Sequence, residues 1–154
     1  MSKASETTLH VRERALTAPA ADYGAPADAE AWLAGMDIAF PDVAITLICG
    51  WDGTTSLLMS TGGGIVGAGS HEGVERAARS FVSEAGAWVD EMLPLPEDLS
   101  YPEMGRVRFF IRRGDRCVVG EASDLELSEG RHDLAGLYEL AQIVVTQVRR
   151  SARG

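Results

Sequence analysis

Between a short apolar run and the longest amphipathic stretch of this chain lies Ser60-Thr61-Gly62-Gly63-Gly64-Ile65-Val66-Gly67-Ala68-Gly69-Ser70. Five of the eight residues from Gly62 to Gly69 are glycine. Glycine takes positive φ at no steric cost and lets other groups approach the backbone closely. Such a segment ends one element and begins another. Two readings are open for it. It is a tight structural connection, or it is a cradle whose N–H groups hold a phosphate or carboxylate at a helix N-terminus.

The stretch after it has the period of a helix. From Ser70 to about Met92, Val74, Ala77, Ala78, Phe81, Val82, Ala85, Trp88, Val89 and Met92 fall on one stripe. Leu93-Pro94-Leu95-Pro96 stops it, and a loop leads on to Pro102. Upstream, Val43 to Cys49 reads as a buried strand, Gly50-Trp51-Asp52-Gly53-Thr54 as a turn, and Ser56 to Ser60 as the returning strand of a hairpin. Downstream, Arg106 to Arg113 alternates, turns at Gly114-Asp115 and returns from Arg116 to Glu121. Asp124 to Ser128 reads as a fifth short strand or a loop, and a last helix is expected from Asp133 to Arg150. A first helix is expected to start at Asp28, a good N-cap, carrying Trp32, Met36 and Ala39 and ending before Pro41.

At 154 residues the length suits one domain. The sequence predicts a flexible arm over residues 1–27, one α+β domain over 28–150 and a tail over 151–154. Within the arm, Thr8 to Leu16 is readable as a strand or a helical turn. The domain is expected to be an antiparallel sheet of four to five strands in two hairpin units, packed with a long central helix and a C-terminal helix.

The net charge of −9 disfavours nonspecific binding to nucleic acid or an anionic membrane. Met1 to Glu6 leads into polar sequence with no apolar signal core, which predicts a cytoplasmic protein. Cys49 and Cys117 lie in apolar runs and read as buried free thiols. No spacing argues for a metal, and no cofactor is expected.

Two constellations are candidates for contact. Gly62-Gly63-Gly64-Ile65-Val66-Gly67 matches G-x-G-x-x-G in letters. A dinucleotide site needs a parallel strand ending in an acidic residue about 20 positions on, and here that position is mid-helix. A P-loop needs lysine where Ala68 stands. What remains is a less specific anion loop at Gly62, Gly63, Gly64, Gly67, Gly69 and Ser70. The second constellation is the strand face of Arg106, Arg108, Phe110 and Arg112. Arginine and aromatic residues are enriched at interface cores, so this face reads as a protein contact or as a surface covered by a loop or the N-terminal arm. Trp51 at its hairpin tip is readable as a contact or as folding back on the sheet. His71-Glu72 and His132-Asp133 each open a helix and would form a site only if those helix starts converged.

The element order from Asp28 to Arg150, with Trp51-Asp52-Gly53 at the first hairpin, resembles the roadblock/LC7 family and more loosely the longin and profilin-like folds. That resemblance implies a non-catalytic scaffold, with no catalytic residues to carry over. It also implies a dimer through the central helix and a sheet edge, and a role in regulating a small GTPase or another nucleotide hydrolase. The first functional expectation is therefore a cytoplasmic, homodimeric interaction module. The alternatives are a small-ligand or anion-binding domain using the Gly62 to Ser70 loop, and an acidic partner-binding protein of the immunity or chaperone type.

Overall fold

The computed structural model of the chain describes residues 6–96 and 100–153. Residues 1–5 of the expected arm, 97–99 of the loop before Pro102 and Gly154 of the expected tail lie outside the described residues. The chain is α+β. Among the described residues, four helices, α1 (Glu6–Thr17), α2 (Glu72–Ala85), α3 (Asp124–Ser128) and α4 (Ala135–Arg153), pack on an open antiparallel sheet. Among the described residues its strands are β1 (Leu33–Ala39), β2 (Ala44–Gly50), β3 (Thr55–Met59), β4 (Gly64–Ile65), β5 (Leu93–Pro94), β6 (Arg106–Arg113) and β7 (Arg116–Ser123). Their spatial order is β4-β3-β2-β1-β6-β7-β5.

The sheet has two covered faces, and strand alternation explains both. Ala34, Met36, Leu47, Cys49, Val107, Phe109 and Ile111 point toward α2 and α4, forming the main core with Phe81, Val82, Leu137 and Val144. Leu33, Ile48, Leu58, Phe110 and Val119 point the other way, into a second core closed by Ala15 and Leu16 of α1. Part of the stretch read as an arm is therefore a docked helix.

Several boundaries depart from expectation. Residues 33–39 form a central strand, not a helix begun at Asp28. A strand buried on both faces has no polar side, so its alternation is invisible and a short apolar run fits either period. Gly35 carried the missing signal. It pairs with Phe110, and a Cβ there would stand 2.0 Å from the Phe110 ring. The expected helix from Ser70 to Met92 is α2 followed by a 3₁₀ segment over Gly86–Glu91. Its N-cap position is His71 and its first residue Glu72, two positions after the expected start at Ser70. Asp124–Ser128 is the short helix α3 instead of a strand or loop, capped by Ser123, whose Oγ accepts the Glu126 N–H. The last helix starts at Ala135 and runs through the described part of the expected tail. The two short strands β4 and β5 were not foreseen, which raises the strand count above four to five.

Candidate functional site

The basic strand face is held by the chain itself. β6 lies between β1 and β7 and is not an edge. Phe110 is 1% exposed beneath the second core. Arg112 stacks its guanidinium 4.3 Å from the Trp32 ring and donates through Nη1 to Ala15 O at 3.3 Å and Ala18 O at 2.6 Å. These carbonyls lie at the C-terminal end of α1, where a helix leaves acceptors unsatisfied and favours a cation. Burial lowers the Arg112 pKa from its ordinary value. Arg108 donates to Glu121 Oε2 from Nη2 at 3.1 Å, and Arg106 approaches Glu121 Oε1 at 3.9 Å. Of the residues predicted to form one contact face, Phe110 and Arg112 are thus buried, and Arg106 and Arg108 are paired.

A second arginine runs the opposite way. Arg12 of α1 reaches Asp37 of β1, Nη2 to Oδ2 at 2.6 Å and Nε to Oδ1 at 3.3 Å. Thr46 Oγ1 donates to Asp37 Oδ1 at 2.6 Å, and the Arg12 guanidinium lies 4.7 Å from the Tyr101 ring centroid. No local pattern in the sequence marked Arg12 or Asp37, because they meet only when β1 is a strand under α1.

The glycine-rich run divides into two structural tasks. Gly62 and Gly63 turn the β3–β4 hairpin, with φ of 107° and 80°, and Met59 exchanges backbone bonds with both. Gly64 enters β4 at φ 137°, where a Cβ would stand 2.4 Å from Leu57 O. Gly69 packs against the β2–β3 turn, a Cβ there falling 2.1 Å from Gly53 O. The three glycines of the triple run therefore sit in a hairpin, apart from the first turn of α2, whereas Gly67 opens the 3₁₀ turn that precedes it. Ser70 donates its N–H to Gly67 O, within the 3₁₀ turn before α2. Trp51 stands at the neighbouring hairpin tip, 38% exposed, with its backbone N–H on Trp32 O.

The histidine-bearing helix starts do not converge. α2 begins where Gly73 faces Gln147, near the C-terminal end of α4, so its start lies far along α4 from His132. His132 Nδ1 accepts the Leu134 N–H at 3.0 Å, in the turn that leads into α4. Burial pushes the Cys49 thiol up to about 12 and the Cys117 thiol up to about 11. Neither is a thiolate near neutral pH. Among the described residues, no group of three or more His, Cys, Asp or Glu side chains is placed to hold a metal ion. No described helix is long and apolar enough to cross a membrane.

The open site lies at the opposite margin of the sheet. β5 pairs with β7 only at Leu93↔Val119 and Pro94↔Val118, extended by Leu95 N–H on Cys117 O. One step earlier the chain curls into the 3₁₀ segment, and the two strands part. A cleft of about 340 Å³ opens there, lined by Trp88, Met92, Leu93, Gly120, Glu121 and His132. Gly120 gives Met92 its room, since a Cβ would stand 3.1 Å from Met92 Cε. The β6–β7 hairpin closes at Arg113↔Arg116, so by alternation the N–H and C=O of residues 117, 119 and 121 point away from β6. Val119 meets β5 at Leu93, and the Cys117 C=O accepts the Leu95 N–H just beyond it. The N–H and C=O of Glu121 find no strand among the described residues. Beside them the Trp88 Nε1 is buried and has no hydrogen-bond partner among the described residues. Leu93 is 72% exposed on the lip. Sequence reading placed Trp88 and Met92 on one helix stripe and His132 at a helix start but did not bring them together with Leu93, Gly120 and Glu121, because this site is made by register between residues that are distant in the chain.

No protein-family model matches this sequence, and the searches of curated proteins and of solved structures found no match either.

Proposed function

We propose that this chain is a non-catalytic protein-interaction module, a scaffold of the roadblock/LC7 kind in layout, that binds its partner at the β5–β7 cleft. One observation carries the reading: a strand edge left unpaired at Glu121 lies beside a buried, unpartnered indole N–H and an exposed leucine. Buried donors are almost always satisfied, so an unpartnered one on a residue that lines the cleft favours a partner group. Unpaired strand edges are templates for another chain, and proteins that leave them open use them or blunt them. The contact surface thus moves from the Arg106 to Arg112 face, where Phe110 and Arg112 are covered from the α1 side and Arg106 and Arg108 pair with Glu121, to the sheet margin.

The test is a photo-crosslinking residue placed at Leu93, with the same residue at exposed Ser83 of α2 as the control, in lysate of the native cell. A discrete protein adduct from position 93 and none from 83 supports the module. Equal adducts from both positions, or none from 93, overturn it.

A further inference from the structure

Resting on that reading, we infer that the cleft takes an extended, basic segment of the partner chain, adding its backbone to the free end of β7. Three features of the cleft fix this chemistry. First, Glu121 offers one N–H and one C=O on the open edge, the pattern an antiparallel strand continues. Second, Trp88 lines the cleft and its indole N–H, buried with no partner among the described residues, is a donor that an entering segment would take up. Third, the rim carries carboxylates. Glu91 and Asp133 line the same cleft, with Glu121. Glu121 is answered by Arg108 and Arg106, whereas no ion pair is formed by Glu91 or Asp133 among the described residues.

An anionic acceptor is repelled by this rim. A peptide carbonyl is a neutral acceptor and fits both the indole and the field. A lysine or arginine on the same segment meets Glu91 or Asp133, and its stem can lie on exposed Leu93. A second copy of this chain carries −9 itself, so charge favours a different, basic partner. The opening is short, because β7 ends at Ser123 and α3 begins at Asp124. Two or three residues of the partner enter the ladder, and affinity for an isolated peptide is correspondingly weak.

The intact, isotope-labelled protein is titrated with three blocked pentapeptides, followed by amide and indole resonances. One alternates valine and lysine, one alternates valine and glutamate, and one is the lysine peptide with alternate backbone nitrogens methylated. The lysine peptide is expected to shift the Trp88 indole and the Glu121 amide saturably, and the other two to bind at least tenfold more weakly. Trp88→Phe is expected to weaken the lysine peptide by up to roughly tenfold, the worth of one hydrogen bond. Leu93→Arg, at an exposed site that the fold does not need, should weaken it by charge. Equal binding of the glutamate or methylated peptide overturns the inference, as does a saturable response that leaves Trp88 and Glu121 unmoved. So does the absence of any response. A Leu93 adduct obtained with no peptide response would leave the module standing and remove only the extended basic segment.

Discussion

Arg12 on α1 and Asp37 on β1 form an ion pair at 2.6 Å with their side chains 4% and 0% exposed. Arg112 answers it from the sheet, donating to the end of α1. The helix is thus held by one arginine pointing down and another pointing up. Together they fasten α1 over the second face of the sheet.

Removing one member of the buried pair leaves the other charged and unpaired. Arg12→Met should cost about 3–5 kcal/mol of unfolding free energy. The double variant Arg12→Met with Asp37→Asn should lose less than the sum of the two single losses. Denaturant unfolding of all four proteins gives the coupling energy, and simple additivity would mean that the pair does not hold the helix.

Arg112→Met removes the charge that caps α1 and the stacking on Trp32. Hydrogen bonds to charged groups are worth about 1.5–3 kcal/mol, so amides of α1 should exchange roughly 10 to 100 times faster. Amides of β6 should change much less. Equal acceleration in both would show global destabilisation instead of loss of the clamp.

Two adjacent glycines should respond differently to alanine. At Gly63 nothing lies within 4 Å of a Cβ, and only the φ of 80° opposes substitution, for about 1–2 kcal/mol. At Gly64 the Cβ meets Leu57 O at 2.4 Å and Leu58 Cα at 2.9 Å, both backbone. Overpacking there should add about 1–3 kcal/mol to the φ strain. Thermal unfolding of the two variants ranks them, and equal losses would contradict the β3–β4 register.

Stability should fall in alkali. Burial raises Cys49 from 9.0 to about 12 and Cys117 from 9.0 to about 11. Burial, with a bond to Asp124, raises Tyr138 from 10.0 to about 12. The native state therefore keeps protons that the unfolded chain releases. This stability is fully present below about pH 9 and is lost as pH rises through about 11 and 12. Urea midpoints across that range should drop, and Cys117→Ala should make the drop shallower.

The strands that alternate plainly were legible in the sequence. Val107, Phe109 and Ile111 against Arg106, Arg108 and Arg112 marked β6, and Gly114-Asp115 marked its hairpin. Asp52-Gly53 likewise marked the turn between β2 and β3. β1 was hidden because both of its faces are buried, and of the arginine face that looks solvated, Phe110 and Arg112 lie beneath the α1 side. The cleft was hidden for another reason. It depends on where β5 leaves β7, and no periodicity in residues 88–95 encodes a distance to residues 119–121.

Hydrogen exchange at the Glu121 amide bears most directly on the binding edge. In the free protein this amide should exchange on the scale of an unpaired strand edge, well ahead of the paired Val119 amide. It should slow at least roughly tenfold when the crosslinked partner is bound, since a paired amide exchanges only through opening. A Glu121 amide as protected as Val119 in the free protein would mean that the edge is already closed, and the binding site would have to be sought elsewhere.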